Sequence, residues 1–69
     1  MQINEAVKAW RKRHKLTQEQ VADGINMSRP QYARFESGTY GFKAEHIKAI
    51  AITFKVSADV LLGITKYDD

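Results

Sequence analysis

Apolar residues recur at helical spacing along most of this chain. Ile3, Val7 and Trp10 stand at i, i+4 and i+7, which predicts an amphipathic helix over residues 3–14. Basic residues crowd its end, where the helix dipole favours cations. The pattern then restarts. Thr17 followed by Gln20 is a capping box, and Val21, Ala22 and Ile25 supply the apolar stripe of a short helix over about 18–25. Asn26 stands where that helix must stop, a residue that tolerates the left-handed conformation. Ser28 is an N-cap with Gln31 three residues later, and Pro30 falls in a first turn, where its missing N–H has no intrahelical role. A third helix over about 29–37 follows, with Tyr32, Phe35 and Glu36 on one face and Gly38 closing it. Ile47, Ile50, Ala51 and Phe54 mark a fourth helix, and Ser57 caps a last one containing Val60, Leu61 and Leu62. Neither strands nor internal repeats are evident. The expectation is one all-α domain spanning 1–69, a bundle of five short helices.

Length sharpens this picture. A chain of 69 residues buries only about 60% of its unfolded surface and is marginally stable. It has no cysteine to supply a disulfide or a thiolate metal site. A compact bundle and a dimer are two routes to stability at this size. The longest apolar run is too short for a membrane span, and the N-terminus lacks a signal-peptide pattern. A soluble cytoplasmic protein is therefore expected.

The charge is asymmetric. Residues 1–43 carry eight cations against four anions, and residues 44–69 three against four, so the net +3 divides as +4 and −1. A basic half suits a polyanion, although a solvated surface helix carries the same signature.

Catalytic chemistry is sparse. His14 and His46 are far apart and lack partners at metal-ligand spacing, so both read as solvated surface residues. Gly38 and Gly41 read as turn residues rather than a phosphate cradle. No cofactor, metal or small-molecule ligand is expected, and no enzyme. The second and third helices, by contrast, form two short helices joined by a tight turn, the shape of a helix-turn-helix. From Arg29 to Ser37 the outward positions of the third helix hold no aliphatic residue except Ala33, and two are arginines.

The run "LTQEQVADGINMSRPQYARFESGTYGFKAEHIKAIAITFKVSADVLLG" resembles the Cro/CI-type helix-turn-helix domain, the lambda-repressor-like or XRE family. The resemblance covers about Val7 to Gly63. "TQEQVA", "MSR", "FESG", "IKAIA" and "VSADVLLG" match in order. Asn26 stands where the family often has glycine, and Pro30 where it often has a polar residue.

The resemblance implies an ion pair between Arg11 and Glu36, tying the first helix to the third. It places base readers at Ser28, Arg29, Pro30, Gln31 and Arg34. Arg29 and Arg34 carry the fork that pairs with guanine O6 and N7, or else they contact phosphate non-specifically. Gln31 reads adenine or spends its amide on the cap. Gln18, at the start of the second helix, is placed against phosphate or base. Thr39, Tyr40 and Lys43 flank a loop that runs along the phosphates, with a packing role open for Tyr40. Dimers of this family span half-sites roughly 34 Å apart, which implies a palindromic operator in double-stranded DNA. Ile52, Val60, Ile64 and Tyr67 exceed what the core needs and are expected to form a homodimer surface, or else to finish the core. The leading expectation is a dimeric repressor of phage or bacterial type. A protein-interaction module on the same fold, such as an antitoxin, is the alternative.

Overall fold

A computed structural model describes residues 2–65 of the chain. Five helices follow one another: α1 (Ile3–Arg13), α2 (Gln18–Gly24), α3 (Arg29–Glu36), α4 (Ala44–Phe54) and α5 (Ala58–Leu61). No strand occurs among the described residues. Helix α2 ends at Gly24 and α3 at Glu36, each one residue before the expected position.

Local chemistry sets most of these ends. Thr17 Oγ1 accepts from Gln20 N–H at 3.0 Å, and the Gln20 carboxamide accepts from Thr17 N–H at 2.8 Å. Ser28 Oγ accepts from Gln31 N–H at 3.3 Å, with Pro30 in the first turn. Asn26 is left-handed, with φ at 58°, and turns the chain from α2 into α3. Two lysines, Lys15 (φ 56°) and Lys55 (φ 54°), also adopt the left-handed conformation. Lysine has no local side-chain reason to do so, which is why neither turn is legible in composition.

Val7, Trp10, Val21, Ala22, Tyr32, Ile47, Ile50, Val56, Val60 and Leu61 form one core. The end of α2 presses closely on the end of α4. A Cβ on Gly24 would lie 2.7 Å from Phe54 Cζ, and Thr53 Oγ1 donates to Gly24 O at 3.3 Å. Phe54 in turn sets its ring edge-on to Trp10, with centroids 5.4 Å apart.

The packing corrects one expectation about the surface. Val60 is not available to a second copy: it is only 3% exposed, because α5 lies against α1 with Val60 and Leu61 turned inward. Ile52 and Ile64 stand out at 66% and 72% exposure. Tyr67 lies outside the described residues.

His46 is also placed differently from expectation. It is half-buried, and its Nδ1 accepts the Lys43 N–H at 3.0 Å at the start of α4. Its ring meets Phe35 edge-on at 4.7 Å. A histidine three residues past a helix start caps it as a glutamine does in a capping box. Phe42, half-buried, packs between these rings and Tyr32.

Candidate nucleic-acid interface

Helix α3 divides into two faces. Tyr32, Phe35 and Glu36 are buried, while Ser28, Arg29, Pro30, Gln31 and Arg34 are exposed and Ala33 is half-buried. The only carboxylate on α3 is therefore removed from its outer surface. Two guanidinium groups, the Pro30 ring and the Gln31 amide remain there. The Gln31 side chain makes no hydrogen bond among the described residues, so the cap at Ser28 engages its backbone N–H alone. Its amide stays available to a ligand.

Glu36 is held by a buried network. Arg11 Nε donates to Glu36 Oε2 at 2.8 Å and Arg11 Nη2 to Oε1 at 2.9 Å, a bidentate pair. Arg11 Nη1 donates to Leu16 O at 2.7 Å. One guanidinium thus joins α1, the α1–α2 link and α3. Burial alone would push the Glu36 carboxyl up, but the hydrogen bonds from Arg11, with the neighbouring Tyr32 hydroxyl and the Gln18 amide, outweigh it and hold it below the ordinary glutamate range. The same hydrogen bonds to Glu36 push the Arg11 pKa up against the cost of burial. The Tyr32 hydroxyl is fully buried beside the pair and lacks a hydrogen-bond partner among the described residues. Its burial, and then the neighbouring carboxylate, raise its pKa far above the usual tyrosine value.

Gln18 belongs to this network. Its Nε2 donates to Glu36 Oε1 at 3.1 Å. One N–H of the amide expected to meet phosphate or base is thus turned into the domain, which leaves the second N–H, the amide oxygen and the backbone N–H for an outside partner. Spacing along α2 carries no sign of this, because the acceptor lies on α3.

The loop after α3 is internally bonded. Ser37 Oγ donates to Arg34 O at 3.0 Å and lies 3.0 Å from Thr39 Oγ1. Since Ser37 spends its one hydroxyl proton on Arg34, Thr39 is the donor to Ser37 and is left as an acceptor. Tyr40 packs edge-on against Phe35 at 5.5 Å and is 47% exposed. Its packing role is realised while part of the ring faces solvent. Gly38 takes φ +90°, and a Cβ there would lie 3.1 Å from Asn4 Nδ2, which itself donates to Glu36 O at 3.3 Å. Lys43 is exposed at the start of α4. Asn4 and His46 are the supports that sequence reasoning missed.

Arg29, Arg34, Gln31, Thr39, Tyr40 and Lys43 thus sit on the exposed third helix and the loop that leaves it. Among the described residues, no three His, Asp or Glu side chains gather as a metal site, and no helix is long and apolar enough to cross a membrane.

Comparison with known proteins identifies the family. A family model described as helix-turn-helix matches residues 7–61. The chain is 34% identical over 59 residues to an uncharacterized HTH-type transcriptional regulator, YobD, of Bacillus subtilis (strain 168). The alignment covers 86% of this chain and 53% of that relative, so the chain spans about half the relative's length. No solved structure matches at a comparable level of significance. The five-helix order, the α2–α3 turn and the match over residues 7–61 lead to one assignment: the chain belongs to the XRE-type helix-turn-helix family.

Proposed function

We propose that this chain is a sequence-specific double-stranded DNA-binding transcriptional regulator that inserts α3 into the major groove. The observation that carries the reading is the partition of α3. Glu36 is sequestered by Arg11 and Gln18, and Arg29, Pro30, Gln31 and Arg34 face solvent. Arg29 and Arg34 read guanines, and Gln31, with its amide unspent, reads adenine. Pro30 packs on a thymine methyl, and Ser28 keeps its hydroxyl on the cap. The backbone N–H groups of Gln18 and Glu19, Thr39 as acceptor through bridging water, the Tyr40 hydroxyl and Lys43 hold the phosphates. The chain acts as a repressor dimer on a palindromic operator, with exposed Ile52 and Ile64 at the two-fold contact.

Selection of bound sequences from random DNA tests this reading, followed by titration across salt. A selected palindrome is expected, with log affinity falling by about 0.9 per phosphate neutralised for each unit of log salt. Arg34→Ala should lose about 1–3 kcal/mol at one base position only. Equal loss on all sequences would refute its role as a base reader. Affinity insensitive to salt would favour a protein-docking module instead.

A further inference from the structure

The backbone of Lys43, the cation placed against the phosphates, is fixed by His46. The Lys43 N–H donates to His46 Nδ1 at 3.0 Å, and the His46 N–H donates back to Lys43 O at 2.9 Å. The Lys43 N–H has no other partner among the described residues. The imidazole is itself clamped, its ring edge-on to Phe35 of α3 at 4.7 Å and to Phe42 of the loop at 6.2 Å. We propose that His46 is a positioning residue for the DNA contact at Lys43, and that its neutral imidazole makes DNA binding acid-sensitive. The proposal deepens the DNA-binding reading above and rests on it.

Only a neutral ring can make this cap. Nδ1 accepts the Lys43 N–H while it carries no proton, which leaves the ring proton on Nε2. Protonation makes both ring nitrogens donors, so an N–H would then face an N–H. The imidazolium would also stand at the positive end of the α4 dipole. Histidine changes charge between about pH 5 and 8, so the cap holds at the upper end and is lost as pH falls. The charged groups beside the ring, among the described residues, are Lys43 and Glu45, one of each sign. Phe35 and Phe42 pack on it, and Asn26, Met27 and Gln31 share its cleft; none of these titrates. Helix α2 supplies the contrast. There the Thr17 N–H donates to the Gln20 carboxamide at 2.8 Å, the same N-cap bond to an acceptor that does not titrate. His46→Gln should therefore keep the cap at every pH.

The first measurement follows the Lys43 amide resonance of ¹⁵N-labelled protein, without DNA, from about pH 7.5 to about pH 5.5, within the histidine range. In the parent it should move upfield, the sense of a lost hydrogen bond, in step with the His46 ring. In His46→Gln it should stay in place. The Glu36 carboxyl is held below the ordinary glutamate range and stays ionised over this interval, and His14 is common to both proteins. The second measurement is the apparent Kd for a duplex selected from random DNA, at the same two pH values. Acidification should raise it about fivefold in the parent, the factor of a typical lost cap, and less than about twofold in His46→Gln. His46→Ala should bind at the upper pH as weakly as the parent does at the lower. A protonated ring that itself touched phosphate would act in the opposite sense, so tighter binding by the parent on acidification overturns the proposal. So does a Lys43 amide that ignores the His46 titration, or a loss of affinity that is the same in His46→Gln. The amide titration needs no DNA, so its failure is distinct from failure of the DNA-binding reading.

Discussion

Removing Arg11 should nearly unfold this domain, and removing Glu36 with it should rescue most of the loss. The Glu36 side chain is 2% exposed and that of Arg11 10%. In Arg11→Met, Glu36 loses two of its hydrogen bonds and keeps the one from Gln18. A buried charge stripped of its partner costs about 3–5 kcal/mol. At 0.05–0.15 kcal/mol per residue a chain of this length holds roughly 3–10 kcal/mol in all. Glu36→Gln should cost less, because Arg11 keeps the Leu16 carbonyl and is the more exposed partner. The double variant Arg11→Met, Glu36→Leu replaces the pair with apolar volume, so it should lie within about 2 kcal/mol of the parent. Urea unfolding followed by circular dichroism measures all four proteins. Tm should fall about 4–8 °C per kcal/mol at this size. The sign with pH is fixed by the depressed Glu36 pKa. Its contribution is complete above the ordinary value of 4.5 and is lost as pH falls through the folded value. The gap between parent and Arg11→Met should therefore narrow on acidification through that range. An Arg11→Met variant costing under about 1 kcal/mol, or a double variant no more stable than Arg11→Met alone, would refute the buried-pair argument.

Other outcomes follow from the same geometry. Gly24→Ala should destabilise by about 1–3 kcal/mol despite the better helix former, because the new methyl collides with the Phe54 ring packed on Trp10; chemical denaturation checks it. Lys55→Gly should raise stability by about 0.5–1 kcal/mol, since the left-handed φ of 54° strains any residue with a Cβ; a higher Tm is the readout. Lys43→Ala should weaken selected and scrambled DNA alike and reduce the salt slope by about one unit; mobility shift across salt distinguishes this from the base-specific loss at Arg34.

Helix ends were legible because their causes lie within a few residues. Thr17 with Gln20, Ser28 with Pro30, Asn26 and Gly38 each act on the backbone of their own turn, so the α2–α3 unit could be read from the chain. The exposed face of α3 was legible for a similar reason: helical spacing alone sends Tyr32, Phe35 and Glu36 one way and Arg29 and Arg34 another. The Arg11–Glu36 pair came from the family resemblance, since a separation of 25 residues leaves no local trace.

Tertiary structure decided what those side chains meet. Gln18 turns its amide nitrogen to Glu36 because folding carries α3 to the start of α2. His46 caps α4 against Phe35, and Val60 turns inward because α5 is laid on α1. Gly24 is required because Phe54, thirty residues away, arrives at that point. Sequence by itself thus determined the helices, their order and the outward side of α3, since capping and periodicity are local. Which polar groups were already spent, and which apolar residues stayed exposed, depended on contacts between segments far apart in the chain, made only when the five helices closed on one core.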